Sequence, residues 1–94
     1  MIGAMAISRG EFDRFAASMV LRLRSRAYSA WADRSTAEAM ANVMTTAYKD
    51  ATGDTMTYVP GEGHLDIPSR VEIHRDGETK VFGIKLGEVC EVKE

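Results

Sequence analysis

A chain of 94 residues with 45% apolar and 28% charged side chains is long enough for one globular domain with a single core, and its composition excludes a disordered tail. The net charge of −2 is unevenly placed: residues 1–50 hold seven Lys/Arg against five Asp/Glu, and residues 51–94 hold five against nine. That acidic balance sets aside a generic nucleic-acid binder, which is basic overall, and leaves room only for a local basic patch in the first half.

The opening Met1 to Ile7 is apolar but too short and uncharged for a signal peptide, and residues 1–7 are set aside as disordered or derived from cloning. From Ser8 the pattern becomes helical. Phe12, Ala16, Met19, Leu23, Ala27 and Ala30 recur at three- and four-residue steps, which predicts one face of a helix running to about Trp31. Ser8 and Glu11 have capping-box spacing, in which the serine oxygen takes one orphan N–H and the glutamate another. Asp33-Arg34 is a short connection, and Ser35 with Glu38 repeats the capping spacing at the head of a second helix. Its stripe is Ala37, Met40, Ala41, Met44, Ala47, Tyr48 and Ala51, and Gly53 stands where a left-handed residue closes a helix. So short a link favours an antiparallel helix pair.

From Thr55 the period changes to two. Thr55 to Val59 is β-branched and aromatic, which predicts a strand, while Pro60-Gly61-Glu62-Gly63 is a turn. His64 to Ile67 reads either as a short edge strand or as irregular chain before Pro68. Arg70 to Arg75 alternates, and Asp76-Gly77 is a two-residue hairpin turn, so Val71 falls opposite Phe82 and Ile73 opposite Lys80. Val71, Ile73, Phe82, Ile84 and Leu86 then share one face, and Glu72, His74, Thr79, Val81 and Lys85 the other. A three-residue loop, Gly87 to Val89, is expected to set Leu86 opposite Cys90, Ile84 opposite Val92 and Lys85 beside Glu91. Two helices that need apolar cover and a sheet with one apolar face predict a two-layer α+β sandwich in a single domain, residues 8–94. Its N-terminal antiparallel helix pair packs on one face of a C-terminal antiparallel meander of three to five strands.

Cys90 is the sole cysteine, so no internal disulfide forms and a reducing cytoplasm is the expected location. Its predicted place facing the core makes it a small hydrophobe. No run approaches the ~18 apolar residues of a membrane span, and no membrane association is expected.

Chemistry is sparsely marked. His64-Leu65-Asp66 and His74-Arg75-Asp76, with Glu62 nearby, could offer two imidazole–carboxylate arms to a divalent metal or to proton transfer, which would suit a small metal-dependent hydrolase. Against that, Asp76 belongs to a turn, His74 to the wet sheet face and His64 to a Gly/Pro-rich loop. The preferred reading therefore has no catalytic residue, no metal and no cofactor. Gly61-Glu62-Gly63 lacks the lysine and the following helix of a phosphate loop.

Arg14, Arg22, Arg24 and Arg26 decorate the first helix, with Arg22 and Arg26 on one flank of its apolar stripe and Arg24 on the other. Leu21 and Tyr28 stack seven residues apart on the side turned from Phe12 and Leu23. Two apolar residues over consecutive turns suggest a contact surface, so Leu21, Arg24, Tyr28, Arg14, Arg22 and Arg26 form the candidate interface. The loop carrying Glu62, His64 and Asp66 is the second candidate.

Ala47 to Pro60, a helix closing at Gly53 before Met56-Thr57-Tyr58-Val59-Pro60, resembles the dimerisation region of Mor-type phage activators. The helix-turn-helix that follows in that family is replaced here by a β-meander, and no function is carried over. The sequence thus points to a small non-enzymatic module that binds a protein partner, of the kind phages and mobile elements use as inhibitors or accessory regulators, with a homodimer open. A dimeric nucleic-acid-associated regulator using the arginines is the alternative, and the metal-dependent enzyme the third.

Overall fold

Ser8 caps the first helix as its spacing predicts. Its hydroxyl accepts from the Glu11 amide at 3.2 Å, and the Glu11 carboxylate accepts from the Ser8 amide at 3.3 Å. The computed structural model describes residues 7–25 and 33–92. Helix α1 spans Arg9–Arg24 and helix α2 Arg34–Thr52, and both pack on one face of a four-stranded antiparallel sheet. Its strands, β1 (Thr55–Val59), β2 (Arg70–Arg75), β3 (Glu78–Lys85) and β4 (Glu88–Val92), lie side by side in chain order. Two helices on a meander make the two-layer α+β sandwich that the alternating patterns predict.

Helix α1 is shorter than its periodicity implies, because the backbone turns extended at Ser25. The remainder of the expected helix, with Arg26, Ala27, Tyr28, Ala30 and Trp31, lies outside the described residues. The buried side is also rotated from the expected one. Asp13, Ala16, Ala17, Val20, Leu21 and Leu23 are enclosed, while Phe12 and Met19 are half-buried. The helix meets two neighbours at once, and the expected stripe is only its margin towards α2, where Phe12 stacks on Tyr48 at 5.7 Å.

Helix α2 is capped by Asp33 rather than Ser35, the carboxylate accepting from the Thr36 amide at 2.8 Å. Gly53 ends it at φ 81, as its place predicts. Of the expected stripe, Ala37, Ala41 and Tyr48 are buried, whereas Met40, Ala47 and Ala51 face water.

Across β2 and β3 the register is the expected one, with Val71 opposite Phe82, Ile73 opposite Lys80 and Arg75 opposite Glu78. The β3–β4 hairpin differs. Leu86 and Gly87 form a two-residue turn with φ 54 and 81, so Lys85 pairs with Glu88, Ile84 with Val89 and Gly83 with Cys90. Leu86 therefore leaves the core face for the turn and is 94% exposed. Cys90 moves to the outer face and is half-buried, and Lys85 does not meet Glu91. A leucine in a left-handed turn position is disfavoured, which is why the pattern hides this turn while Asp76-Gly77 announces the other.

Between β1 and β2, Gly63–Leu65 makes one 3₁₀ turn closed by a bridge between Glu62 and Ile67. Ser69 ties this loop down, accepting from Tyr58 Oη and the Gly61 amide, each at 3.0 Å. The core between the layers holds Val20, Leu21, Tyr48, Val71, Ile73 and Phe82, each fully buried. Burying an aliphatic or phenyl side chain of this kind contributes ~1.5–3 kcal/mol. Among the described residues no helix is long and apolar enough to cross a membrane.

Candidate functional site

Among the described residues one charged side chain is buried in the helix–sheet interface, Asp13, with no exposed surface. Three elements converge on it. Tyr48 Oη of α2 donates to Oδ1 at 2.6 Å, Arg75 Nη2 of β2 donates to Oδ2 at 2.7 Å, and Lys80 Nζ of β3 stands 3.5 Å from Oδ2. Arg75 also pairs through Nε with Asp54 at 2.8 Å, and Arg9 bridges Asp13 and Asp54. Burial alone would push the Asp13 carboxyl up, but the hydrogen bonds from Tyr48 and Arg75 and the charges of Arg75 and Lys80 hold it below the usual carboxylate range. Burial and the Asp13 carboxylate push the Tyr48 phenol up, and the bonds to Asp54 and Asp13 raise Arg75 further above the ordinary guanidinium value. Among the described residues every buried side-chain nitrogen and oxygen has a partner. With its oxygens enclosed and occupied by protein groups, this cluster is a structural tie that sets how α1 lies across the sheet.

A groove lies on the other side of α1. Helix α2 sits by β1, and α1 crosses β2, β3 and β4, so the β4 flank of the sheet is only partly roofed. Between α1 and this flank lies a cleft of about 780 Å³, walled by Glu11, Arg14, Phe15, Ser18 and Arg22 and floored by Lys80, Phe82 and Val89, with Glu88 and Glu91 along its strand side. Phe15 is 55% exposed on its rim. Arg22 Nε donates to Ser18 Oγ at 3.0 Å, which lays the guanidinium along the wall. Lys80 lies over the Phe82 ring, 5.7 Å from its centre. Arginine and aromatic side chains around a partly apolar floor are the composition that protein interfaces favour.

The sequence-derived candidates divide among different places. Arg14 and Arg22 stand together in this groove. Leu21 does not join them: it is completely buried in the core, one helical step round from where the apolar pattern puts it. Arg24 turns to the opposite flank, where it covers the Tyr58 ring at 4.8 Å and pairs with Glu38 at 3.8 Å. Tyr28 and Arg26 lie outside the described residues. In the second candidate, Glu62 bridges to Ile67, while His64 and Asp66 are exposed around the 3₁₀ turn. His74 stands at the far end of β2 from that loop, 3.2 Å from Thr79 Oγ1. The two His-x-Asp pairs are thus separated by the length of a strand, and among the described residues no three His, Cys, Asp or Glu side chains gather as a metal site.

Pattern reading missed Phe15, Lys80 and Val89 as groove residues and Asp13, Tyr48, Arg75 and Asp54 as a cluster. One signal was present: Asp13 stands four residues before Ala17 and eight before Leu21, in a row that is apolar after its first member. Comparison with known proteins returns no match, whether to a family model, a curated protein or a solved structure.

Proposed function

We propose that this protein is a small non-enzymatic binding module whose partner is another protein, held in the groove between α1 and β4. The observation that carries the reading is Phe15, a phenyl ring more than half exposed between Arg14 and Arg22 at the mouth of a cleft with the half-buried Val89 in its floor. A rigid aromatic anchor with flanking arginines is the usual make-up of a binding hot spot. The groove is braced from below by the Asp13 cluster, so little ordering is required when a partner arrives. An inhibitor or accessory regulator of phage or mobile-element origin, working in the cytoplasm, fits a module of this size. A nucleic-acid role draws less support, because Arg24 is engaged on the flank opposite Arg14 and Arg22.

The test is capture from an extract of the source cells, then reconstitution of the complex from two purified components. Phe15→Ala and Arg14→Glu/Arg22→Glu are expected to weaken the reconstituted complex at least ~tenfold with an unchanged melting temperature. A complex that survives both variants would move the contact elsewhere, and salt-sensitive binding of DNA by the wild type with no protein partner would reverse the order of the two readings.

A further inference from the structure

The strand order leaves β4 at one margin of the sheet, paired with β3 and with no strand beyond it among the described residues. The Leu86-Gly87 turn fixes which way its backbone groups point. Both turn residues have positive φ and Lys85 pairs with Glu88, so that pair exchanges hydrogen bonds and the pairs alternate from there. Glu88, Cys90 and Val92 therefore turn their N–H and C=O groups to β3, whereas Val89 and Glu91 turn theirs outward. Val89 and Glu91 also share the helix-facing side with their ladder partners Ile84 and Phe82, and both line the α1–β4 groove. Among the described residues, none of the backbone hydrogen bonds outside the ladders and helices involves either one.

We infer that the part of the partner held in this groove is an extended strand that adds to the edge of β4. The inference rests on the groove being a protein-binding site and names the form of what binds there. Two amides and two carbonyls along the foot of a groove are matched by an extended backbone, which presents donors and acceptors at the same two-residue spacing, whereas a helix satisfies its own. Every second side chain of such a strand faces Val89 and the Phe15 ring, so apolar residues belong at those positions. Of the devices that close a sheet edge, β4 carries an inward charge, Glu91, but no proline, lysine or bulge. That charge decides against a second copy as the occupant. Two β4 strands paired antiparallel over all five residues would set each Glu91 opposite Val89 and make the two Glu91 carboxylates diagonal neighbours, which a foreign strand avoids.

The probe is the tightest peptide selected from a random phage-displayed library on the immobilised full chain, with loss of binding on Phe15→Ala as the criterion that seats it in the groove. Glu91→Pro deletes one outward N–H and leaves the ladder to β3 intact, while Glu91→Ala keeps that N–H and removes only the carboxylate. Glu91→Pro is expected to weaken the peptide at least ~tenfold and Glu91→Ala to change it less than about threefold, both with the wild-type circular dichroism spectrum. In the unsubstituted chain the bound peptide should slow hydrogen exchange at the Val89 and Glu91 amides. A groove-seated peptide that is indifferent to Glu91→Pro, or that leaves both amides exchanging freely, overturns the strand mode and leaves the groove reading standing. If no selected peptide responds to Phe15→Ala, both fall. Slow exchange at these two amides in the concentrated chain alone overturns the inference by making a second copy the occupant.

Discussion

Tyr48 Oη donates a 2.6 Å hydrogen bond to Asp13 Oδ1, a buried contact between residues 35 positions apart on different helices. Through Asp13 this bond continues to Arg75 on the sheet, so one carboxylate joins α1, α2 and β2. Removing it leaves the Tyr48 phenol without its acceptor and Arg75 with Asp54 as its remaining carboxylate. Asp13→Ala is expected to cost about 3–5 kcal/mol, the usual penalty for breaking one side of a buried pair. Tyr48→Phe, which keeps the stack on Phe12, should cost about 1.5–3 kcal/mol. Urea denaturation of both variants measures the difference, and equal values would mean that the carboxylate matters only through the phenol.

The same cluster fixes a pH dependence. Asp13 titrates lower in the fold than in the unfolded chain, so its stabilisation is complete above the ordinary carboxylate value of about 3.9 and is lost as the pH falls below it. Tyr48 titrates higher in the fold, so its contribution is complete below about 10 and is lost as the pH rises beyond. Between pH 7 and pH 3 the wild type should therefore lose more stability than Asp13→Asn, whose amide does not titrate. Parallel acid and neutral denaturation curves are the check.

Leu21, expected on an outer contact surface, is core, and the exposed ring on this helix is Phe15. Leu21→Ala is expected to cost about 2–5 kcal/mol and Leu21→Glu to prevent folding, because the site is fully enclosed. Phe15→Ala should change stability by no more than about 0.5 kcal/mol, since its ring lies on a rim. Thermal melts of the three variants separate core from surface directly.

Which features the sequence discloses follows from how local their causes are. The cap at Ser8, the close at Gly53 and the Asp76-Gly77 turn are each settled by residues within a few positions, and each stands where the pattern places it. The layer arrangement follows from two periodicities that need the same apolar cover. The rotation of α1 was hidden because its sheet-facing row begins with a carboxylate, and a charge is read as an outward residue unless its partners are known. Those partners, Arg75 and Lys80, are more than sixty residues away. The groove is further from view still, since its two walls come from α1 and from β3 and β4, which are far apart in the sequence.

The Leu86-Gly87 turn carries a removable strain. Leu86 sits at φ 54 and is almost wholly exposed, so its side chain gains little packing in return for a disfavoured backbone. A left-handed conformation costs an ordinary residue about 1–2 kcal/mol. Leu86→Asn suits the first position of a two-residue hairpin turn and is expected to stabilise the fold by about 1 kcal/mol. A lower midpoint in guanidinium would show that the leucine side chain has a packing role.

Two glycines in the loop before β2 make opposite predictions. A β-carbon on Gly61 would run into the backbone at Ile67, Pro68 and Ser69, and backbone cannot swing aside as a side-chain end can. A β-carbon on Gly63, in the 3₁₀ turn, would meet nothing within 4 Å. Gly61→Ala should therefore cost about 1–3 kcal/mol and displace the Ser69 hydroxyl, which accepts from the Gly61 amide and from Tyr58. Gly63→Ala should be neutral or stabilise by up to about 1 kcal/mol through the unfolded chain. Because Tyr58 supports the Arg24 side chain, loss of the Ser69 bond should also change the tyrosine environment. Urea titration followed by tyrosine absorbance reads both effects. If Gly61→Ala behaves like Gly63→Ala, the close approach of residues 61 and 67–69 does not hold in solution.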